Sequence, residues 1–341
     1  MARKKIKFEG LQSLPFEEWA DETPVTVPVM KMPPHTYDRI MVNEENKTIK
    51  DPAERILYYF SMGSGSSGNS GYIGTSREGI IIDAGVKADE IESMIRANGL
   101  TMQHIKGILL THDHADHVKY AYTLVRNNKH LRIFCTNRVL HGILRRHNIS
   151  KRIAEYHIPI FKEIPFNIGQ FEVTAFEVPH DGSDNMGFSL KFDSHTFVIA
   201  TDMGEVSKRA DYYIRQANYL VMEANYDLKM LAEGRYPEYL KARIRTDHGH
   251  MDNLHTARYL AALNSPFLSH IFLCHLSKDN NTPELALKTV REALEANGKT
   301  IGNASHSIAD RDADLQLMAL PRYGATRLFA FRPPEEDPHS K

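Results

Sequence analysis

Four candidate metal ligands, His112, His114, Asp116 and His117, fall within six residues directly after the apolar run over residues 105–110. A strand that stops at Thr111 projects His112 and His114 to one side, and a helix starting near Asp116 turns Asp116 and His117 back toward them. One short turn can then serve two metals. A dinuclear centre needs further ligands, and these are sought where later strands end and side chains converge on one sheet edge. His180 follows the strand ending at Val178, Asp202 follows the run 197–201, and His275 follows the run 271–274. The only cysteines, Cys135 and Cys274, are far apart and form no CxxC pair, so the site must use nitrogen and oxygen ligands.

Those groups need elements to carry them. Short apolar runs suited to strands occupy residues 56–60, 71–73, 79–83, 105–110, 132–135, 171–178, 187–192, 196–200, 219–222 and 271–274. Ala88, Ile91, Met94 and Ile95 keep helical spacing ahead of a capping Gly99, and Thr282-Pro283 reads as an N-cap followed by proline at the first helical position. Residues 1–54 carry six prolines among charges and no sustained helical period, so they are expected to form an extension that is wrapped on the domain or partly ordered. Residues 55–335 then form the functional domain and 336–341 a tail. At 341 residues, 42% hydrophobic and 25% charged, the chain suits a globular fold, and the formal charge of −1 argues against a globally basic nucleic-acid coat. No segment approaches the roughly 20 apolar residues of a membrane helix, so no membrane partner and a cytoplasmic location are expected. The oligomeric state is not readable.

The order of these ligands resembles that of the metallo-β-lactamase superfamily, whose α+β fold is a four-layer αββα sandwich with its metals on one edge. The resemblance implies that His112, His114 and His180 hold one metal and Asp116, His117 and His275 the other, with Asp202 bridging and Asp83 supporting them from behind. It implies two divalent ions, Zn²⁺ or Mn²⁺, a choice the donor set leaves open. Further motifs are similar to the YycJ/WalJ branch over residues 56–335. They are Gly63-Ser-Gly-Ser-Ser-Gly-Asn-Ser70, His180-Asp-Gly-Ser-Asp184, Ala200-Thr-Asp-Met-Gly204, Glu223-Ala-Asn225, Gly249-His-Met-Asp-Asn253 and the stretch 275–283. That branch implies a 5′-to-3′ exonuclease on single-stranded DNA. Tyr226 departs from it, standing where the branch often has His.

The expected chemistry is phosphodiester hydrolysis with a hydroxide shared by the two metals as nucleophile. His250 and Glu223 resemble the proton-shuttling pair of tRNase Z-type nucleases, which makes them, with Asp116, the expected catalytic residues. A His held by a carboxylate suits proton donation to a leaving alkoxide near neutral pH. The small residues of the 63–70 loop, Ser66 and Asn69 among them, let backbone N–H groups and hydroxyls approach a phosphate. Lys241, Arg243 and Arg245 alternate, so an extended segment aligns them as a phosphate-gripping face, whereas a helix spreads them apart. The alternative reading is a small-molecule hydrolase of the same superfamily, acting on an ester, thioester, lactone or cyclic phosphodiester.

Overall fold

The computed structural model describes residues 55–305 and 312–333; the expected extension over residues 1–54 and the tail over 336–341 lie outside them. In chain order the strands are β1 Leu57–Gly63, β2 Ser70–Gly74, β3 Gly79–Ile82, β4 Ile105–Leu109, β5 Ile133–Cys135, β6 His157–Pro159, β7 Phe166–Ile168, β8 Phe171–Glu177, β9 Met186–Phe192, β10 His195–Ala200, β11 Tyr219–Glu223, β12 His270–Cys274, β13 Ile301–Asn303, β14 Leu315–Ala319 and β15 Phe329–Phe331. The helices are α1 Ala88–Ala97, α2 Ala115–Val118, α3 Ala121–Asn127, α4 Asn137–Arg146, α5 Lys208–Ile214, α6 Leu228–Glu233, α7 Glu238–Ile244, α8 Asn253–Ala262 and α9 Pro283–Ala296.

The strands form two mixed sheets, β15-β1-β2-β3-β4-β5-β6 and β13-β14-β12-β11-β10-β9-β8-β7. Why the strand sequences read as continuous apolar runs is clear from the second sheet, which is buried on both faces. Phe197, Ile199, Tyr219, Val221 and Phe272 join the core between the sheets, whereas Val198, Ala200, Leu220, Met222, Ile271 and Leu273 join a second core under α5, α8 and α9. On the first sheet, α1, α3 and α4 cover the outer side through Ile91, Ile95, Leu124, Val139 and Ile143. This is the α+β sandwich of helix, sheet, sheet and helix.

The expected helix at 88–97 forms, with Gly99 just beyond it at φ 73°, and Thr282 caps α9 by accepting from Leu285 N ahead of Pro283. The short strands β6, β7, β13 and β15, of three residues each, had no readable period.

Strands β3, β4, β5 and β6 run parallel, as do β10, β11, β12 and β14, and β8 shares the direction of β10 because both are antiparallel to β9. Asp83, the 111–117 turn, His180, Asp202, Glu223 and His275 all lie at or just after the C-terminal ends of these strands. That is the edge where open parallel sheets place their ligands.

Candidate metal centre

Three of the strand ends carry a residue in the left-handed region: Asp83 at φ 57°, Asp202 at 48° and His275 at 55°. Such non-glycine conformations cost about 1–3 kcal/mol each and persist where the surroundings over-determine them. Here each turns a polar side chain out of the strand's alternation. Without that turn, the residue after inward-facing Cys274 belongs on the helix side of the sheet.

β4 ends at Leu109, two residues before the expected stop at Thr111, and α2 is a single helical turn from Ala115, preceded by His114. Four overlapping groups of candidate ligand atoms gather, each within 4.8 Å of one another: two divide the expected set, His112 with His114 and His180, and Asp116 with His117 and His275, and the others are His112 with His117 and Asp202, and Asp202 with Glu223, His250 and His275. Asp202 lies between the first two groups: its Oδ2 is 3.8 Å from His112 Nε2, 3.5 Å from His117 Nε2 and 3.8 Å from His180 Nε2, and its Oδ1 is 3.4 Å from His275 Nδ1. His275 Nε2 and Asp116 Oδ2 approach to 3.3 Å, and His180 Nε2 and His114 Nδ1 likewise. Buried His112 Nε2 has no hydrogen-bond partner, and the surrounding donors are all imidazole nitrogens and carboxylate oxygens. An orphaned imidazole nitrogen in such a set fits a divalent cation.

Behind the ligands a second ring of groups sets their orientation. Asp83 lies 2.7 Å from His117 Nδ1 and accepts from Thr111 N, which ties β3 to the turn. Thr111 Oγ1 touches both Asp83 and His112 Nδ1. His180 Nδ1 meets Gly249 O at 2.9 Å, leaving Nε2 toward the cluster, and Thr201 Oγ1 donates to Asp202. Glu223 is fully buried and its two oxygens meet His250 Nδ1 at 2.7 Å, His275 Nδ1 at 3.0 Å, Met203 N at 2.9 Å, Met251 N at 3.3 Å and Asn225 Nδ2 at 3.4 Å. One carboxylate therefore orients both His250 and His275. The N-cap of α8 is Asp252, so His250 has no capping duty there.

Charge balance inside the cluster follows from burial against contact. Burial pushes the Asp116 carboxyl up, but His117 and His275 outweigh it and hold it at about 2. Burial drives His112 well below the ordinary imidazole range, helped by His117, and takes His114 down to about 4, so both are neutral, ligand-ready imidazoles at pH 7. His250 differs: burial lowers it, and the Glu223 carboxylate more than reverses that.

The remaining expected residues are placed less simply. Asn69 lies against the cluster, with its amide nitrogen 2.9 Å from His117 Nε2 and 3.3 Å from Asp116 Oδ2 and its Oδ1 accepting from Gly65 N. Ser66 sits on the exposed tip of the β1–β2 loop. Of the two conformations left open at 239–246 the helical one forms, Glu238–Ile244 as α7, because Glu-Tyr-Leu-Lys-Ala-Arg consists mostly of good helix formers and a three-residue charge alternation is too short to overrule them; no aligned phosphate-gripping face is built, which corrects Lys241 as a phosphate contact. Lys241 is buried there, its ammonium donating to Ala232 O at 2.8 Å and Glu238 at 3.0 Å, while Arg245 is exposed apart from it. Arg243 donates to Asp181, whose other oxygen is 3.4 Å from His114 Nε2. Asp181, Thr111 and Ser64, whose Oγ accepts from His275 N, were not expected as site residues. Their only sequence signal is adjacency to a ligand or a place in the Gly/Ser loop.

The Beta-lactamase superfamily domain matches residues 79–275, a span that holds Asp83 and all seven clustered candidate ligands. The chain belongs to the metallo-β-lactamase superfamily. This superfamily member is 34% identical over 254 residues to the Exodeoxyribonuclease YycJ of Bacillus anthracis, across 73% of this chain and 93% of the relative. It is 32% identical over 244 residues to the Exodeoxyribonuclease WalJ of Streptococcus pneumoniae, across 69% and 87%. Zn²⁺-bound PqqB from Methylobacterium extorquens shares the fold, with a TM-score of 0.56 at 15% identity over 80% of this chain and 99% of that one. The metallo-β-lactamase chain is thus a hydrolase of the α+β sandwich type, with clustered His and Asp residues suited to divalent metal. Among its described residues no helix is long and apolar enough to cross a membrane.

Proposed function

We propose that the protein is a two-metal phosphodiesterase that degrades single-stranded DNA from its 5′ end. The observation that carries this reading is the convergence of His112, His114, His180, Asp116, His117, His275 and Asp202 beside the Glu223–His250 pair, in a chain about one third identical to two exodeoxyribonucleases. Zn²⁺ or Mn²⁺ ions would be held by the two ligand groups with Asp202 shared, and when bound they supply Lewis acidity and a nucleophile at neutral pH. The chain's own groups do the rest. His114, locked between His180 and Asp181, and His117, backed by Asp83, keep the site's shape. Glu223 holds the proton on His250 Nδ1 and raises the imidazole's proton affinity, so His250 can deliver a proton to the leaving oxygen near pH 7. Asn69 on the cluster, Arg243 linked to it through Asp181 and Ser66 at the outer tip of the β1–β2 loop contact the strand's phosphates in this reading.

The test is digestion of 5′- and 3′-labelled single-stranded DNA, duplex DNA and RNA with Mn²⁺ or Zn²⁺ added, alongside the Asp116→Ala variant and a panel of small esters, thioesters and cyclic phosphodiesters. Progressive loss from the 5′ end of single-stranded DNA, absent in Asp116→Ala, is expected. Turnover of a small ester without any DNA digestion would move the enzyme to the alternative substrate class.

A further inference from the structure

Beyond the metal cluster, the loop between β1 and β2 has a second, outward side. Its inner residues serve the centre, Ser64 Oγ accepting from His275 N and Asn69 lying on His117. Its tip meets the loop between β14 and β15 instead. Ser64 N donates to Pro321 O at 3.1 Å, Arg322 Nη1 donates to Ser66 Oγ at 3.3 Å, and Ser67 Oγ donates to the Tyr323 hydroxyl at 3.1 Å. The Arg322 guanidinium lies directly over Gly65, where a Cβ would come 2.9 Å from Nη1, and its Nη2 donates to Leu276 O, one residue beyond His275. Arg322 makes no ion pair among the described residues. Tyr323 is 67% exposed although its hydroxyl is tethered. A large ring held at one corner with its body in water is unusual for a residue whose only task is packing. An arginine beside it, half-buried, with Asp279 near enough to act on its charge but no carboxylate within ion-pair distance among the described residues, keeps donors for a phosphate.

We propose that Arg322 and Tyr323 form a nucleotide subsite on the rim of the metal centre, Tyr323 stacking on a base of the single strand and Arg322 holding the adjoining phosphate. The inference rests on the nuclease reading and names where that strand is gripped. A platform of this kind tolerates any sequence, because every base offers a π-face, and it excludes duplex DNA, whose bases are already stacked. The tether matters: Ser67 keeps the ring beside the loop that also orients Asn69 and Ser64, so a base seated on Tyr323 brings its phosphate to Arg322 and the following linkage toward the ligand edge.

The metal-loaded protein would be titrated with a fluorescent, cleavage-resistant phosphorothioate oligothymidylate, and kcat and KM measured on its natural-linkage counterpart. Tyr323→Ala is expected to weaken binding roughly 5- to 150-fold and to act on KM far more than on kcat, with Tyr323→Phe, which keeps the ring but loses the Ser67 tether, falling between that variant and the wild type. Arg322→Gln is expected to reduce the slope of log Kd against log salt by roughly 0.7. Thermal melting of each variant separates loss of fold from loss of grip. Wild-type affinity and wild-type salt slope in these variants overturn the subsite while leaving the nuclease reading intact. Failure of the wild-type protein to bind or cut the oligonucleotide overturns both.

Discussion

At the scale of single residues, Glu223 is the junction of the site. It is wholly buried, contacts five donors, and two of them are the imidazoles of His250 and His275. A glutamine there turns one acceptor into a donor facing N–H groups, and each buried donor so stranded costs about 1–3 kcal/mol. Glu223→Gln is therefore expected to lower thermal stability and activity together. His250→Ala removes only the proton donor and leaves His275 oriented, so kcat should fall by roughly 10²–10⁴ with the melting temperature and metal content near wild type. Steady-state rates, melting curves and metal analysis on the two variants separate these roles; equal losses of stability in both would contradict the division of labour. Most of the clustered ligands were legible in the sequence because they follow apolar runs. Lys241 was misread because its apparent partners are decided by helix α7 and by Ala232, nine residues earlier.

Between elements, the closest approach is that of β3's exit to the metal-ligand turn. Ala84 N donates to His117 O and Tyr120 N to Ala84 O, and Asn69 N donates to Asp116 O. Gly85 packs so tightly here that an added Cβ falls on the Asp116 carbonyl oxygen. Backbone on both sides leaves no side chain free to yield. Gly85→Ala should cost roughly 2–3 kcal/mol in urea unfolding and weaken metal retention at the same time, since the displaced backbone is that of Asp116. An alanine variant with wild-type unfolding midpoint and metal affinity would show that the turn is less confined than described. Such packing is invisible in the run Asp83-Ala-Gly85, which reads as an ordinary strand end. The left-handed conformations of Asp83, Asp202 and His275 escape sequence reading for the same reason, since tertiary contacts rather than local preference impose them. Most of the longer strands were readable because two-sided burial makes them apolar, whereas β14, interrupted by Gln316, was not read and the three-residue edge strands lacked the length to show any pattern.

Over the whole molecule, the sandwich buries several histidines in neutral form, which ties its stability to pH. His270, stacked near Phe272 and Phe331 at the start of β12, is pushed down to about 4 by burial and by Arg327. Its folded pKa lies below the unfolded value of roughly 6.5, so its contribution is complete above that value and is lost as the pH falls toward 4. For a shift of this size the loss approaches roughly 3 kcal/mol. Unfolding midpoints measured from pH 7 to pH 4 should decline across this window, and His270→Gln should flatten part of the decline. An unchanged slope in that variant would exclude His270 as a source.

The central claim is that seven side chains from four strand ends close around two cations. Anomalous diffraction from crystals grown with Zn²⁺ addresses it most directly. Two peaks are expected, one against His112, His114 and His180 and one against Asp116, His117 and His275, with Asp202 reaching both. A single peak, or none at this edge in crystals soaked with the ion, would contradict the account.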